Sequence, residues 1–286
     1  MSYPGVCRVA QEGEKLGLWQ FVRLEGRVEI PPADLYILGA WNDVYDQLLR
    51  VLPGKVGVCW TSSVGEMNLA GYESGQAEVE YQYLARILKD SRVKFIWFGD
   101  PSLAQVFPEK GLYSPYPIYL PLSSLSFSAA PEPPRDYMTF FCPHTLKKNA
   151  LNNLLGAYLI QQETGYILRT NVPVPDLLPI KHVYDGWLPE DRYQAVIRQS
   201  ALNLACSWSE TLHYQAVEAA LYKVPSVGSR TIPWLPKEFV VDNPNDARDI
   251  ARVGLSVLGK GLELRQALFQ WASIANGDLQ KALARI

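Results

Sequence analysis

One stretch, residues 203–229, constrains the fold of this chain more than any other. It reads NLACSWSETLHYQAVEAALYKVPSVGS. A short apolar run at 202–206 has the length of a strand, and the polar residues 207–211 follow it. Apolar residues then recur at helical spacing until Pro225, and Val227 begins another strand-like run. This order predicts a strand, loop, helix and strand, which is the building block of a parallel sheet.

The polar residues of this stretch lie where such a unit binds its ligands. In open α/β sheets, ligands bind beyond the carboxyl ends of the strands, and residues 207–211 occupy that position. The helix that follows points its free N–H groups at the same space, which suits a phosphate. Two carboxylates flank the site, because Glu210 lies in the loop and Glu218 follows eight residues later. Carboxylates accept hydrogen bonds from paired hydroxyls, so we assign one glutamate to each sugar ring of a ligand.

The rest of the chain also alternates between strands and helices. Before residue 123 we predict strands at 5–10, 35–38, 55–60 and 93–98, and helices at 15–24, 41–51 and 78–88. After residue 135 we predict strands at 137–142, 166–170, 182–184 and 239–241, and helices at 150–163, 189–199, 246–258 and 262–285. The segment between them, SSLSFSAAPEPPR, is rich in Ser, Ala and Pro and is typical of a linker. The sequence therefore predicts an α/β protein of two Rossmann-like domains, 1–128 and 129–286, whose last helix can pack back on the first domain.

Composition excludes several classes of protein. The 286 residues suffice for two domains, and 48% hydrophobic with 20% charged residues is the composition of a globular chain. A formal net charge of -2 gives no overall field toward nucleic acid, and we expect no nucleic acid partner. The four cysteines lie far apart without metal-ligand spacing, so we predict reduced thiols and no bound metal. We find no signal-peptide pattern and no apolar run of membrane-spanning length, and therefore expect a cytoplasmic protein.

The central stretch resembles a known family signature. The pattern S-x-S-E-x7-E-A, followed by P-x-V-x-S, is similar to the E-x7-E motif of retaining GT-B glycosyltransferases, especially family 4. The resemblance implies two Rossmann-like domains facing across a cleft, with the acceptor side in the first and the nucleotide-sugar site in the second. It also implies a hexosyltransferase that uses a nucleotide-diphosphate sugar as substrate, keeps the anomeric configuration and needs neither metal nor cofactor. The acceptor stays open among glycans, lipids, proteins and small molecules, and peripheral membrane contact is compatible with it.

Site roles follow from the same resemblance. The first glutamate of the motif holds the donor sugar, which assigns Glu210, and the second holds the nucleotide ribose, which assigns Glu218. We add Ser209, Thr211 and His213 to the donor-binding residues because they surround Glu210 in the loop. For His213, a packing or capping role is the alternative. The family usually has glycines directly after the first glutamate, where this chain has Thr211 and the two residues after it.

A basic loop, residues 143–149, follows the first strand of the second domain. Retaining GT-B enzymes place a basic residue in this region, where it neutralises the diphosphate leaving group. We assign this role to Lys148, with Lys147 second and as a further donor-binding residue. The alternative is that both lysines belong to a solvated helix start, although cations are mildly unfavourable at a helix N-terminus.

Two other functions share this fold. A nucleotide-sugar 2-epimerase needs acid and base groups in the cleft, and the first domain supplies few. A non-catalytic protein that binds a sugar nucleotide is the other alternative, which the replaced glycines keep open. Hydrolysis of the donor without an acceptor separates the enzymes from the binding protein.

Overall fold

A computed structural model describes residues 4–22, 30–39, 43–63, 65, 67, 69, 77–118, 135–143 and 145–286. The chain divides into two compact units. The first unit comprises Met1–Leu120 and Ala272–Ile286, and the second comprises Pro121–Trp271. The domain boundary predicted after residue 128 lies outside the described residues.

The first unit contains a parallel sheet of four strands, whose order is that of the chain. Its strands are β1 Leu35–Leu38, β2 Lys55–Trp60, β3 Val93–Phe98 and β4 Gly111–Tyr113. Its helices are α1 Pro4–Lys15, α2 Asp43–Val51, α3 Ala77–Lys89 and α4 Pro101–Val106. The central strands β2 and β3 are buried along almost their whole length, as expected where both faces of a parallel sheet are covered. Trp60 and Phe98 are fully buried in this core.

The N-terminal segment differs from its prediction. Residues 5–10, predicted as a strand, belong to helix α1, and the helix predicted at 15–24 is wrong because α1 ends at its start. Pro4 opens the helix, where its missing N–H costs nothing. The buried Val9 and Glu12 lie three residues apart, so they share one face of this helix. The short apolar run alone resembled a strand, and only the longer window shows the helical period.

The second unit contains a parallel sheet of five strands. Its strands are β5 Tyr137–Phe140, β6 Ile167–Thr170, β7 His182–Tyr184, β8 Leu202–Ala205 and β9 Ser226–Gly228. Its helices are α5 Ala150–Thr164, α6 Glu190–Arg198, α7 Tyr214–Leu221 and α8 Ala247–Ser256, followed by α9 Gly261–Leu283, which continues into the first unit. Short 3-10 helices lie at Leu146–Lys148 and Lys237–Phe239. The predicted strand, loop, helix and strand of the central stretch is confirmed as β8, α7 and β9.

The strand predicted at 239–241 is wrong. Its first residue ends a 3-10 helix, and Val240 forms only a single parallel bridge with Gly228, at the end of β9. A run of three apolar residues is too short to show a helical or a strand periodicity. It therefore predicts that the residues are buried but not which secondary structure they form.

The strand order of the second unit fixes where its loops meet. The order is β7-β6-β5-β8-β9, so the chain first moves outward in one direction from β5 and then in the other from β8. Helices α5 and α8 pack together, and so do α6 and α7. Because crossovers between parallel strands are right-handed, these two pairs cover opposite faces of the sheet. The loops after β5 and β8 therefore separate at a topological switch point, which is where doubly wound sheets bind ligands.

Two glycines of helix α9 test how closely this helix packs. A Cβ atom on Gly261 would lie 1.8 Å from the carbonyl oxygen of Lys223, whereas one on Gly277 would meet nothing within 4 Å. We expect Gly261→Ala to lower the thermal unfolding midpoint, since overpacking of this kind costs about 1–3 kcal/mol. Gly277→Ala should raise it by the equivalent of up to about 1 kcal/mol, because alanine is the better helix former. Midpoints that shift in the same direction for both variants would contradict this packing.

Candidate active site in the second unit

The loops after β5 and β8 meet at the switch point. The first contains the 3-10 helix Leu146–Lys148, and the second runs from Cys206 to the start of α7. The backbone N–H of Trp208 donates to the carbonyl oxygen of Lys147 at 2.8 Å, which joins the two loops. The loop that runs from Cys206 to the start of α7 carries Glu210, and we call it the acidic loop. The structure thus brings together this loop and the basic loop, which the sequence singled out separately.

Lys148 and Glu210 form an ion pair between these loops. The Lys148 ammonium contacts Glu210 Oε1, and the two side chains are only 11% and 6% exposed. Removing two charges from water offsets most of their attraction, so a buried pair of this kind is a poor source of stability. A pairing of ionised groups in a ligand-binding position therefore favours a functional explanation.

His213 closes the acidic loop and caps helix α7. Its Nδ1 accepts a hydrogen bond from the backbone N–H of Ala216 at 3.4 Å. Burial, and then the positive charges of Lys148 and Lys147, hold the pKa of His213 well below its usual value. The imidazole is therefore neutral, and with Nδ1 accepting, its proton lies on Nε2.

Glu218 lies in the second turn of α7, in surroundings different from those of Glu210. It is 6% exposed, and its Oε2 accepts a hydrogen bond from the hydroxyl of Tyr193 in α6 at 2.8 Å. The Tyr193 ring packs edge-on against Phe141, directly after β5, with ring centroids 5.7 Å apart. The two glutamates therefore have different partners, Lys148 for Glu210 and Tyr193 for Glu218.

The remaining predicted residues occupy the same two loops. Ser209 is 6% exposed and Thr211 is partly buried, and they flank Glu210. Lys147 is partly buried and precedes Lys148 in the basic loop. Six of the seven site residues named from the sequence thus lie in the two loops at the switch point, and Glu218 lies in the second turn of α7.

Sequence reasoning missed Asn153, which is fully buried in α5. Its side-chain amide accepts from the backbone N–H of Cys206 at 3.2 Å and donates to the carbonyl of the same residue at 2.9 Å. It also donates to the carbonyls of Lys148, at 3.2 Å, and Asn149, at 2.9 Å. The sequence signal that could have identified it is a polar residue directly before the apolar pair Leu154-Leu155 in a predicted helix.

Two further side chains fix the ends of strands in the same way. The amide of Asn171 accepts from the N–H of Cys142 at 2.9 Å and donates to its carbonyl at 3.0 Å. The hydroxyl of Ser229 donates to the carbonyl of Ser207 at 2.5 Å. The second residue after β5 and the second residue after β8 are therefore each held by a side chain that follows a neighbouring strand.

A third loop, residues 242–246, borders these two. Asn149, in the left-handed conformation with φ 52°, donates from Nδ2 to the carbonyl of Pro244 at 2.5 Å. The indole N–H of Trp208 donates to Asn245 Oδ1 at 2.6 Å, and Trp208 is 38% exposed. The loop at 242–246 thereby positions an accessible indole beside the basic loop.

Metal-ligating and thiol side chains are dispersed in the part of the chain that the structure describes. No group of three or more His, Cys, Asp or Glu side chains among these residues is placed to hold a metal ion. Cys59, Cys142 and Cys206 are buried free thiols, and burial raises the pKa of Cys142 to about 12. None of the described helices is both long enough and apolar enough to cross a membrane.

The buried His213 predicts a pH dependence of stability. Its pKa in the folded protein is lowered, so an unfolded chain takes up a proton that the folded one does not. Stability is therefore lost as the pH falls below about 6.5, the ordinary value of an unfolded histidine. We expect His213→Asn, which keeps a good capping residue, to lose less of its unfolding midpoint between neutral pH and pH 5 than the unmodified protein. The exposed His182 provides a control, and an equal effect of His182→Asn would contradict this origin.

Comparison with known proteins supports the fold. No protein-family model and no curated protein sequence matches the chain. Solved structures do match it. A mutant of S. aureus TarM in complex with Fondaparinux, α-GlcNAc-glycerol and UDP aligns with a TM-score of 0.63 and 12% identity, over 98% of this chain and 58% of that one.

The descriptions of two more neighbours name trehalose phosphate. The α,α-trehalose-phosphate synthase (UDP-forming) from Burkholderia vietnamiensis aligns with a TM-score of 0.58 and 10% identity, over 99% of this chain and 80% of the other. The E. coli trehalose-6-phosphate structure bound with UDP-2-fluoro glucose aligns with a TM-score of 0.57 and 11% identity, over 97% and 78%. The predicted fold class is confirmed: the chain has the α/β fold of these proteins, GT-B, with two Rossmann-like units.

Proposed function

We propose that this protein is a glycosyltransferase that takes a sugar from a nucleotide-diphosphate sugar. The observation that carries the proposal is the buried Lys148–Glu210 ion pair at the switch point of a Rossmann-like unit. The fold adds support, because structural neighbours are described in complex with UDP or with UDP-2-fluoro glucose.

Lys148 acts on the leaving group. Negative charge grows on the diphosphate as the glycosidic bond breaks, and an ammonium fixed beside it stabilises that charge. The ion pair with Glu210 already orders this lysine, whose side chain is 11% exposed. A diphosphate competes with Glu210 for the ammonium, and the released carboxylate then accepts hydrogen bonds from the donor sugar's hydroxyls.

His213 completes the phosphate side of the site. Its pKa is lowered, so it offers a neutral imidazole whose Nε2–H donates to a phosphate oxygen. The N-terminus of α7, which it caps, adds free N–H groups. Ser209, Thr211 and Lys147 bind the donor from the same two loops.

Glu218 binds the nucleotide ribose through the carboxylate that Tyr193 holds in place. Transfer proceeds with retention, by attack from the same face as the leaving group, whose phosphate takes the acceptor's proton. No protein nucleophile, metal or cofactor is needed. Trehalose-6-phosphate synthase, a structural neighbour, is described as transferring glycosyl groups with retention. We assign the acceptor, a glycan, lipid, protein or small molecule, to the first domain, residues 1–128.

The experiment that tests this function is a thermal-shift panel of UDP-, GDP- and ADP-sugars, followed by donor hydrolysis. A ligand present at 100 times its dissociation constant stabilises the protein by about 2.7 kcal/mol, which is readily measured. Stabilisation together with slow release of the nucleoside diphosphate supports a transferase. Binding without any release would leave only the non-catalytic alternative, and no binding would refute the proposal.

Lys148→Ala should lose turnover and keep part of its donor affinity. A group that stabilises mainly the transition state appears in kcat, and its removal costs on the order of 100-fold or more. Hydrolysis of the best donor of the panel gives kcat, and calorimetry with the same donor gives affinity. Lys147→Ala is the matched control and should lose far less turnover. An unchanged rate in Lys148→Ala would contradict its catalytic role and would favour the alternative that both lysines belong to a solvated helix start.

Glu218→Ala should weaken binding of the bare nucleoside diphosphate by about 1.5–3 kcal/mol, the value of a hydrogen bond to a charged group. Tyr193→Phe is the control, because it removes the partner that holds Glu218 but leaves the carboxylate for the ribose. Calorimetry on both variants separates the two contributions. Unchanged affinity in Glu218→Ala, or an equal loss in Tyr193→Phe, would count against the ribose assignment.

A further inference from the structure

Asn153 is an unusual residue for its position. It lies in α5, has no exposed surface, and directly precedes the apolar Leu154. A buried amide is costly unless its hydrogen bonds are made. Here Oδ1 accepts from one backbone N–H, and the two N–H bonds of Nδ2 are shared among three backbone carbonyls within hydrogen-bond distance. All four partners belong to the two loops of the candidate site, so the amide is bonded to loop backbone alone.

The partners of Asn153 lie at the points where the loops are anchored. Cys206 is the first residue after β8 and begins the loop that carries Glu210. The carbonyls of Lys148 and Asn149 end the basic loop. The side chain of Asn153 thus contacts both the backbone of Lys148 and the first residue of the loop that carries Glu210.

An amide is required for this arrangement. It presents an acceptor to the N–H of Cys206 and two N–H bonds to the carbonyls. A carboxylate would lack the donors, and an apolar side chain would leave the loop carbonyls buried without this partner.

We propose that Asn153 is a positioning residue that sets the distance and orientation of Lys148 relative to Glu210. The inference rests on the proposed function of that pair, and it extends that function to a residue that does not touch the donor. Asn153 acts through the loop backbone, by fixing the end of the basic loop against the start of the loop that carries Glu210. Without it the sheet keeps its strands, but the basic loop is free to move away from Glu210.

Asn171 provides a matched comparison in the same unit. Its amide makes the same reciprocal pair, with Cys142, and is 2% exposed. The hydrogen bonds of its amide hold Cys142, directly before the basic loop, but they reach neither the backbone of Lys148 nor the loop of Glu210. A purely structural role predicts similar consequences for Asn153→Ala and Asn171→Ala, whereas positioning predicts that only the first disturbs the pair.

The first test reads the ion pair without any substrate. An amine-acylating reagent is applied briefly to the folded protein, and modification of each lysine is measured by mass spectrometry, with the exposed Lys237 as internal reference. Lys148 is ion-paired and 11% exposed, so it should react slowly in the unmodified protein. We expect Asn153→Ala to raise its modification several-fold, and Asn171→Ala to leave it near the starting value.

The second test reads catalysis with UDP and the best nucleotide sugar of the panel. Asn153→Ala should lower kcat for donor hydrolysis by about 100-fold, the effect of a misplacement near 1 Å, while affinity for UDP changes much less. If no nucleotide sugar binds the unmodified protein, the proposed function fails, and the labelling result still decides whether Asn153 positions Lys148.

Three results would overturn the proposal. One is unchanged labelling of Lys148 in Asn153→Ala, and another is an equal rise in Asn171→Ala. The isosteric Asn153→Asp replaces the alanine variant if that variant does not fold, and the same rise in labelling is expected from it. If neither variant folds, Asn153 is required for folding itself and its assignment as a positioning residue is wrong.

Discussion

A parallel sheet that is built outward in both directions from its middle leaves one place where neighbouring loops part. In the second unit this place lies between β5 and β8, because the crossovers from these strands cover opposite faces of the sheet. Everything that we assign to the site depends on this constraint. The basic loop and the acidic loop are distant in sequence, and only the strand order makes their backbones neighbours, with Trp208 bonded to Lys147.

The ion pair of Lys148 and Glu210 can form because that strand order makes the two loops neighbours. Its side chains are largely withdrawn from water, so each charge depends on the other and on the loops that hold it. Such a pair can respond to a new anion more strongly than two solvated residues could, because the low local dielectric strengthens every competing interaction. Burial, and then the positive charges of Lys148 and Lys147, keep the pKa of the neighbouring His213 low. The site therefore combines a cation, an anion and a neutral donor within one small volume.

Much of this was accessible from the sequence because its signals were local. An apolar run, a polar loop and a helix ended by Pro225 predicted β8, α7 and β9, and all three are observed. The fold class followed from the alternation of strands and helices on both sides of a linker. Residues 5–10 misled because a run of six residues fits a strand as well as it fits a helix, and only the longer window of α1 shows the helical period.

The contacts between loops could not be predicted, because they depend on strand order rather than on local pattern. That Lys148 meets Glu210 follows from β5 lying beside β8, which no short window of sequence contains. The capping role of His213 was one of two readings, since the same position suits a cap and a ligand. Asn153 escaped notice because a buried polar residue in a helix forms no sequence motif, and its hydrogen bond to Cys206 depends on the fold.

Asn153 and Asn171 each present to a backbone the donor and acceptor that another peptide group would present. Each asparagine therefore adds one rung to the ladder of the sheet beyond the last residue of β8 or β5, without lengthening a strand. The loop contributes only backbone groups to this hydrogen-bonded pair, so the pair does not require particular side chains in the loop. Loops anchored in this way can change their side chains freely while their starting points stay fixed. The carboxyl end of such a sheet can therefore acquire a new ligand specificity without a change of fold.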